Sequence, residues 1–181
     1  MTNHVHLLLS PEHPEDASRL MQSLGRRYVR YINTKYGRSG TLWEGRFRAC
    51  GVHAEDYLLV CMRYIELNPL RVALVTSPEP YRWASFCRNA LGKEDSQLAE
   101  HALYTALGDT PTKRQAAYLE LFREQLDQTI IADIRTATGS GHLLATVTVR
   151  KQVEARAGQL LGPATRGRPP RSRAKSESGK S

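Results

Sequence analysis

The segment at residues 3–9, NHVHLLL, most constrains the fold, because its histidines alternate with apolar side chains. Successive side chains of an extended strand point to opposite faces. His4 and His6 would therefore share one face of a strand, and Val5 and Leu7 would share the other. A strand must pair its backbone groups with a neighbour. The segment therefore predicts a strand within a sheet.

A helix and a second strand are predicted next. Helical spacing extends from about Asp16 to Lys35, and a second alternating stretch extends from Leu42 to Val52. The apolar residues of the helix form one stripe, and its arginines lie mostly off that stripe. The stripe consists of Leu20, Leu24, Tyr28 and Tyr31.

A second helix is predicted from Ala54 to Leu67. Acidic residues, Glu55 and Asp56, suit the positive end of its dipole. The residue before Pro69 avoids the helical region of backbone space, so the helix should end at Asn68.

These elements divide the chain into three expected parts. Residues 1–92 contain the strands and both helices, and residues 93–160 form a helical extension with breaks at 108–111 and 139–141. Residues 161–181 form a basic tail that is expected to be disordered, because it has little to bury.

Positive charge is concentrated in that tail. The chain has a formal net charge of +8, and residues 150–181 carry nine Lys or Arg against two Glu. A basic tail on a nearly neutral body favours a polyanionic partner such as nucleic acid, although it could simply improve solubility.

Neither a membrane span nor a disulfide framework is expected. No run approaches the roughly 18 apolar residues that a span needs, and no signal peptide is evident, so we expect a cytoplasmic protein. The cysteines are widely spaced and odd in number, which predicts reduced thiols. They are Cys50, Cys61 and Cys87.

Four residues form a candidate catalytic set. His4 and His6 would present both imidazoles to one divalent metal ion. On a helix, Tyr64 and Asn68 lie on one face and could offer a nucleophilic oxygen and an amide ligand. Each pattern alone is common in proteins without such chemistry, so the prediction rests on their combination.

Ordered motifs support that combination. Residues 3–8, NHVHLL, are followed by LWEGRF at 42–47, RYIELNPLR at 63–71 and YRWAS at 81–85. Over about residues 1–90 the chain closely resembles the REP-associated tyrosine transposases, relatives of the single-tyrosine HUH transposases of insertion sequences.

The resemblance implies an α+β fold. Residues 1–92 would be a ferredoxin-like HUH nuclease domain that lacks its N-terminal strand–helix–strand portion, with a reduced sheet of two or three strands. In such a domain Val5 would point into the core. The missing portion suggests an N-terminally truncated relative whose activity is impaired.

The resemblance also implies a reaction and its site. Tyr64 matches the catalytic tyrosine, His4 and His6 match the metal-binding histidines, and Asn68 completes the metal site. With Mg²⁺ or Mn²⁺, Tyr64 would attack a phosphate of single-stranded DNA near a REP-type hairpin. The products would be a 5′-phosphotyrosine and a free 3′-OH that can later rejoin strands.

Several cations and aromatic side chains are candidates for DNA contacts. The expected phosphate contacts are Arg46, Arg48, Arg63 and Arg71, and Trp43 or Tyr57 would stack on bases. In the tail, Arg166 and Arg168 belong to an RGRP sequence similar to the core of an AT-hook. Ordinary surface charge and core packing would explain the same residues.

Other functions remain open from the sequence. The main alternative is a truncated or domesticated relative that binds DNA without cutting it. A replication initiator or conjugative relaxase would share the histidine pair but often has a second tyrosine or a third histidine, and a metalloenzyme unrelated to nucleic acid is the remaining class. The site could form within one chain or between two copies in a homodimer.

Overall fold

The computed structural model describes residues 1 and 3–158, and this part of the chain is helical. The helices are α1 Asp16–Tyr36, α2 Ala54–Glu66, α3 Asn68–Arg71, α4 Phe86–Asn89, α5 Ala102–Thr105, α6 Pro111–Glu120, α7 Gln128–Ser140 and α8 Val147–Ala157. None of these helices is long and apolar enough to cross a membrane.

The described residues form no sheet, so the predicted α+β ferredoxin-like fold is wrong. Their β-type pairing is a single parallel bridge between Val52 and Leu144. It is held by the His53 amide, which donates to the Leu144 carbonyl at 2.9 Å, and by the Leu144 amide, which donates to the Gly51 carbonyl at 2.8 Å. Residues 3–9 and 42–51 are extended or irregular.

The failure of the strand prediction has a physical cause. Alternation determines which side chains share a face, but a strand also needs a neighbouring segment about 4.8 Å away to pair with. No described segment pairs with residues 3–9. The expected burial is also reversed there, because Val5 is 62% exposed and does not enter the core, whereas His6 and Leu8 are half-buried.

Helix α1 agrees closely with its predicted bounds. It ends at Gly37, whose φ of 60° is the left-handed conformation that glycine adopts without strain. The predicted apolar stripe, however, faces solvent, with Leu24 42% exposed and Tyr31 56% exposed. The half-buried side of the helix carries instead Met21, Gly25, Val29 and Ile32.

Helix α2 begins where predicted, and its end requires a correction. Pro69 does not force Asn68 out of helical structure. Instead, α2 ends at Glu66 and the short helix α3 begins at Asn68. Pro69 therefore occupies the first turn of a new helix, where a missing N–H costs nothing.

Two buried clusters form the core, and α2 contributes to both. On one side, Cys61 and Tyr64 pack with apolar residues from the region around α7, namely Leu126, Ile131, Ile134, Ala137 and Leu144. On the other, Leu59 and Met62 pack against Phe86, Ala90, Tyr104 and Tyr118. The fully buried partners of α2 in both clusters thus follow it in the chain, and Leu8, Cys50 and Val52 add partly buried contacts from before it.

In the predicted helical extension, helix ends fall near the two expected breaks. Helix α6 begins at Pro111, directly after the predicted break at 108–111. Helix α7 ends at Gly141, whose φ is 77°. The structure adds a further break between α6 and α7. The division at residue 92 stays a prediction, and the tail with Arg166 and Arg168 lies outside the described residues.

The three cysteines are free thiols, and we expect them to differ in reactivity. Burial, with a smaller contribution from Cys50, raises the pKa of the Cys61 thiol to about 12. Because the thiolate is the reactive form, iodoacetamide at pH 8 should label half-buried Cys87 at least roughly a hundredfold faster than Cys61. Peptide mass mapping of the labelled native protein measures both rates. Equal rates in the native protein would contradict the prediction, and equal rates in guanidinium are the control.

Candidate active site

The structure places Tyr64 against His6, although the two residues are far apart in the sequence. Their ring centroids are 5.8 Å apart and the rings meet edge to face. Tyr64 is presented by α2, and His6 by the extended segment at residues 3–9. That segment is held by Leu8, which packs on the Tyr64 cluster, and by the Met1 amino group, which donates to the Tyr81 hydroxyl.

His4 and His6 lie side by side, although residues 3–9 do not form the strand that was expected to place them on one face. Their ring centroids are 4.9 Å apart, with the rings nearly perpendicular. His4 Nδ1 lies 2.8 Å from the Asn3 amide oxygen, which can only accept a hydrogen bond, so Nδ1 is the donor. The lone pair of a neutral His4 ring is then on Nε2, the atom left for a ligand.

His6 is held in its neutral form. Its pKa is lowered, first by burial and then by the nearby charges of His4, Arg71 and the amino terminus. Neutral imidazole is the form that binds metal ions.

Arg71 completes this surface from the end of α3. Its guanidinium carbon lies 4.3 Å from the centroid of the Tyr64 ring, and Nη2 donates to the Tyr64 backbone carbonyl at 2.5 Å. The same nitrogen lies 3.5 Å from the Asn68 amide oxygen. Arg71 therefore fixes a positive charge beside the phenol and close to Asn68.

Tyr64 is packed in the core but keeps its hydroxyl uncommitted. The residue is 7% exposed and belongs to the first buried cluster. Within the described part of the chain, its hydroxyl makes no hydrogen bond, and it is not one of the fully enclosed unpaired polar atoms. Burial alone would suit a core tyrosine, and an unbonded hydroxyl on a ring that contacts His6 also suits a nucleophile.

The remaining predicted contact residues fall into two groups. Trp43, Arg46 and Arg48 are exposed in the loop between α1 and α2. The Trp43 ring packs on α1, 5.7 Å from that of Tyr28. No contact joins this group to Tyr64 in the described residues. Tyr57 is half-buried on α2.

Arg63, a predicted phosphate contact, uses its guanidinium group in contacts within the protein. Its guanidinium donates to the Glu124 carbonyl and lies 5.8 Å from the centroid of the Phe122 ring. It ties α2 to the segment after α6.

A buried carboxyl two residues from Tyr64 is a feature that the sequence interpretation missed. Glu66 is fully buried and accepts hydrogen bonds from Ser85 at 2.5 Å, Asn89 at 3.0 Å and Tyr118 at 2.8 Å. Its position was detectable, because it continues the helical spacing of Leu59 and the following apolar residues of α2. A charged residue on the apolar side of a helix indicates a buried polar network.

The chain was compared with known proteins. Residues 1–68 match the family model described as "Transposase IS200 like". Neither the curated proteins nor the solved structures contain a match to the chain. The family match ends at Asn68, so it includes all four predicted catalytic residues and excludes the helices that enclose α2. Over residues 1–68, which are less than half of its length, the chain is therefore similar to IS200-like transposases.

Proposed function

We propose that this chain is a single-tyrosine DNA strand transferase with Tyr64 as its nucleophile. The observation that carries the proposal is the contact between Tyr64 and His6, with 5.8 Å between their ring centroids, and His6 in turn contacts His4. Two imidazoles, a phenol and a guanidinium converge there from separate segments. The IS200-like match over the same residues supports a transposase activity.

The donor atoms of His4, His6 and Asn68 are of the kinds that divalent metal ions bind. His4 has its lone pair on Nε2, His6 is held neutral, and the Asn68 oxygen carries only a long hydrogen bond of 3.5 Å. No group of three or more His, Cys, Asp or Glu side chains that could hold an ion occurs in the described residues. We propose His4, His6 and Asn68 as the ligands for Mg²⁺ or Mn²⁺, on the chemistry of their donor atoms. A bound ion would withdraw charge from the phosphate as a Lewis acid.

The chain's own residues account for the rest of the reaction. The Tyr64 oxygen forms a bond to phosphorus while the bond to the 3′ oxygen breaks. The phenol proton passes to solvent and the 3′ oxygen takes up a proton, leaving a 5′-phosphotyrosine and a 3′-OH. Arg71, 4.3 Å from the ring centroid, lowers the energy of the developing phenolate and attracts the phosphate.

We further propose that the substrate is single-stranded DNA beside a REP-type hairpin. The support is the order of the sequence motifs at 3–8, 42–47 and 63–71. Arg46, Arg48 and Trp43 are exposed in the loop between α1 and α2 and are free to contact that DNA.

Removal of the metal provides the first test. The protein is incubated with a labelled oligonucleotide that carries a REP-type hairpin and a single-stranded flank, in Mn²⁺ or in EDTA. We expect an adduct that survives denaturation in Mn²⁺, and at least roughly a hundredfold less in EDTA, because Lewis-acid catalysis contributes several kcal/mol. Intact mass spectrometry identifies the adduct. Equal amounts of adduct in both conditions would contradict the metal assignment.

A relative that binds DNA without cutting it is the second candidate. The lack of a sheet in the described residues favours it, because a catalytic site is usually held by rigid elements. Binding of the same oligonucleotide without any adduct in Mg²⁺ or Mn²⁺ would establish this alternative.

A further inference from the structure

Helix α1 carries a positive surface that the overall charge of the chain conceals. Residues 17–43 contain six Lys or Arg and no Asp or Glu, whereas residues 93–149 contain five Lys or Arg and eight Asp or Glu. The charges of these regions are +6 and −3, and the other residues before 150 contribute −2, so residues 1–149 sum to only +1. Positive and negative charges are therefore concentrated in different parts of residues 1–149.

The cations of α1 are exposed and point away from the half-buried side of the helix. We define the α1 basic face as Arg26, Arg27, Arg30, Tyr31 and Lys35. All five are exposed. None of its cations forms a salt bridge with a described residue, whereas Arg19 at the start of the helix pairs with Glu15 at 3.4 Å. Unpaired exposed cations are free to replace the counterions of a polyanion.

The face is also shaped as a shallow groove. A depression of about 370 Å³ is lined by Arg27, Arg30, Tyr31, Thr34 and Lys35. These positions follow three- and four-residue spacing, so they form one continuous side of the helix. From Arg26 to Lys35 the face is about 14 Å long at the rise of an α-helix.

The aromatic ring in the groove, that of Tyr31, is already contacted by a lysine side chain. Lys35 Nζ lies 5.5 Å from the centroid of the Tyr31 ring and also 3.1 Å from the Tyr31 hydroxyl. An unpaired base would have to displace Lys35 to stack there. The groove therefore suits rows of phosphates better than splayed bases, and a paired stem presents its phosphates in that way.

We propose that the α1 basic face binds the phosphate backbone of a double-stranded DNA stem. This inference rests on the proposed function, since it assumes that the substrate contains such a stem. It adds a second contact surface to the chain, on a helix that carries none of the proposed catalytic or metal-binding residues. The binding would be independent of base sequence and sensitive to salt.

The test compares two double variants of the full chain with equal formal charge. Arg27→Ala with Arg30→Ala removes two cations from the α1 basic face. Lys113→Ala with Arg123→Ala removes two exposed cations that pair with Asp109 and Glu120 in the acidic region at residues 93–149. Affinity for a labelled hairpin is measured by fluorescence anisotropy in EDTA over a range of salt concentrations.

We expect the α1 double variant to reduce the slope of log affinity against log salt by about 1.8, since each duplex phosphate contact contributes about 0.9. Its affinity at 0.1 M salt should fall by roughly tenfold or more. The control variant should keep the wild-type slope. An unpaired oligonucleotide of equal length should show a smaller change, and an equal or larger change there would overturn the choice of a paired stem.

This experiment can contradict DNA binding by the α1 basic face without contradicting strand transfer by Tyr64, and the reverse. A wild-type slope in the α1 variant, or an equal decrease in the control, overturns the α1 basic face even if the adduct with Tyr64 forms. A reduced slope confined to the α1 variant supports the inference, even if no adduct forms and the proposed strand transfer is wrong.

Discussion

Replacing Tyr64 with phenylalanine is expected to abolish the covalent DNA adduct and to leave hairpin affinity and thermal stability near the wild-type values. The substitution removes one oxygen, which has no hydrogen-bond partner in the described residues, and keeps the ring in its buried cluster. The bond from this oxygen to phosphorus cannot form in the variant. Loss of a nucleophile typically reduces the rate by a factor on the order of 10⁴ to 10⁶.

Tyr57→Phe is the matched control, because Tyr57 is a second tyrosine on α2 and is half-buried. It undergoes the same chemical change but has no contact with the histidine pair, so its adduct should form at the wild-type rate. Adduct formation is followed on denaturing gels, and hairpin affinity is measured separately in EDTA. An undiminished adduct in Tyr64→Phe would assign Tyr64 to core packing and place the nucleophile elsewhere.

Local periodicity was sufficient to predict the long helices. The bounds of α1 and α2 follow from helical spacing, and Gly37 and Gly141 end helices because they adopt left-handed backbone. That Tyr64 and Asn68 share a face stays a prediction, because α2 ends at Glu66 and Asn68 begins α3. For these helices, the features that depend only on neighbouring residues in the sequence were predictable.

The sheet was not predictable in the same way, since it depends on a partner segment. Alternation at residues 3–9 was interpreted as a strand, but no described segment lies beside it. The contact between His6 and Tyr64 is also long-range, and it was expected only from the combination of motifs. The structure provides that contact without the fold that was expected to create it.

Two further features were missed, for different reasons. A net charge summed over the body of the chain hid the positive α1 basic face, because residues 93–149 carry an excess of negative charge. The orientation of α1 was predicted wrongly from its spacing, because the stripe with Leu24 faces solvent and the side with Val29 is half-buried. Spacing identifies the sides of a helix, but which side is buried depends on the segments that pack against it.

Replacing Glu66 with leucine is expected to destabilise the protein by about 3 to 5 kcal/mol, a range typical of breaking a buried polar network. The substitution leaves the donors of Ser85, Asn89 and Tyr118 without an acceptor in a site that is closed to water. In a chain of this size that loss corresponds to a decrease in Tm of roughly 10 °C. Thermal unfolding followed by circular dichroism measures it.

Glu66→Gln is the matched control for size and hydrogen bonding. The amide keeps an oxygen acceptor and the volume of the side chain, so it should cost about 1 kcal/mol, near the value of one hydrogen bond. A leucine variant as stable as the glutamine variant would show that the network does not stabilise the fold.

Comparing the stability of the wild type and Glu66→Gln over a range of pH separates the effect of the ionisable carboxyl group from that of side-chain size. Burial raises the pKa of Glu66, and the hydrogen bonds from Ser85, Tyr118 and Asn89 only partly oppose that effect. A carboxyl with a raised folded-state pKa contributes most to stability below its unfolded value of about 4.5, and the contribution is lost as pH rises through the folded-state pKa. The advantage of the wild type over Glu66→Gln should therefore shrink as pH rises from about 4.5 towards 8. A constant difference across that range would mean that Glu66 ionises as readily in the folded chain as in the unfolded one.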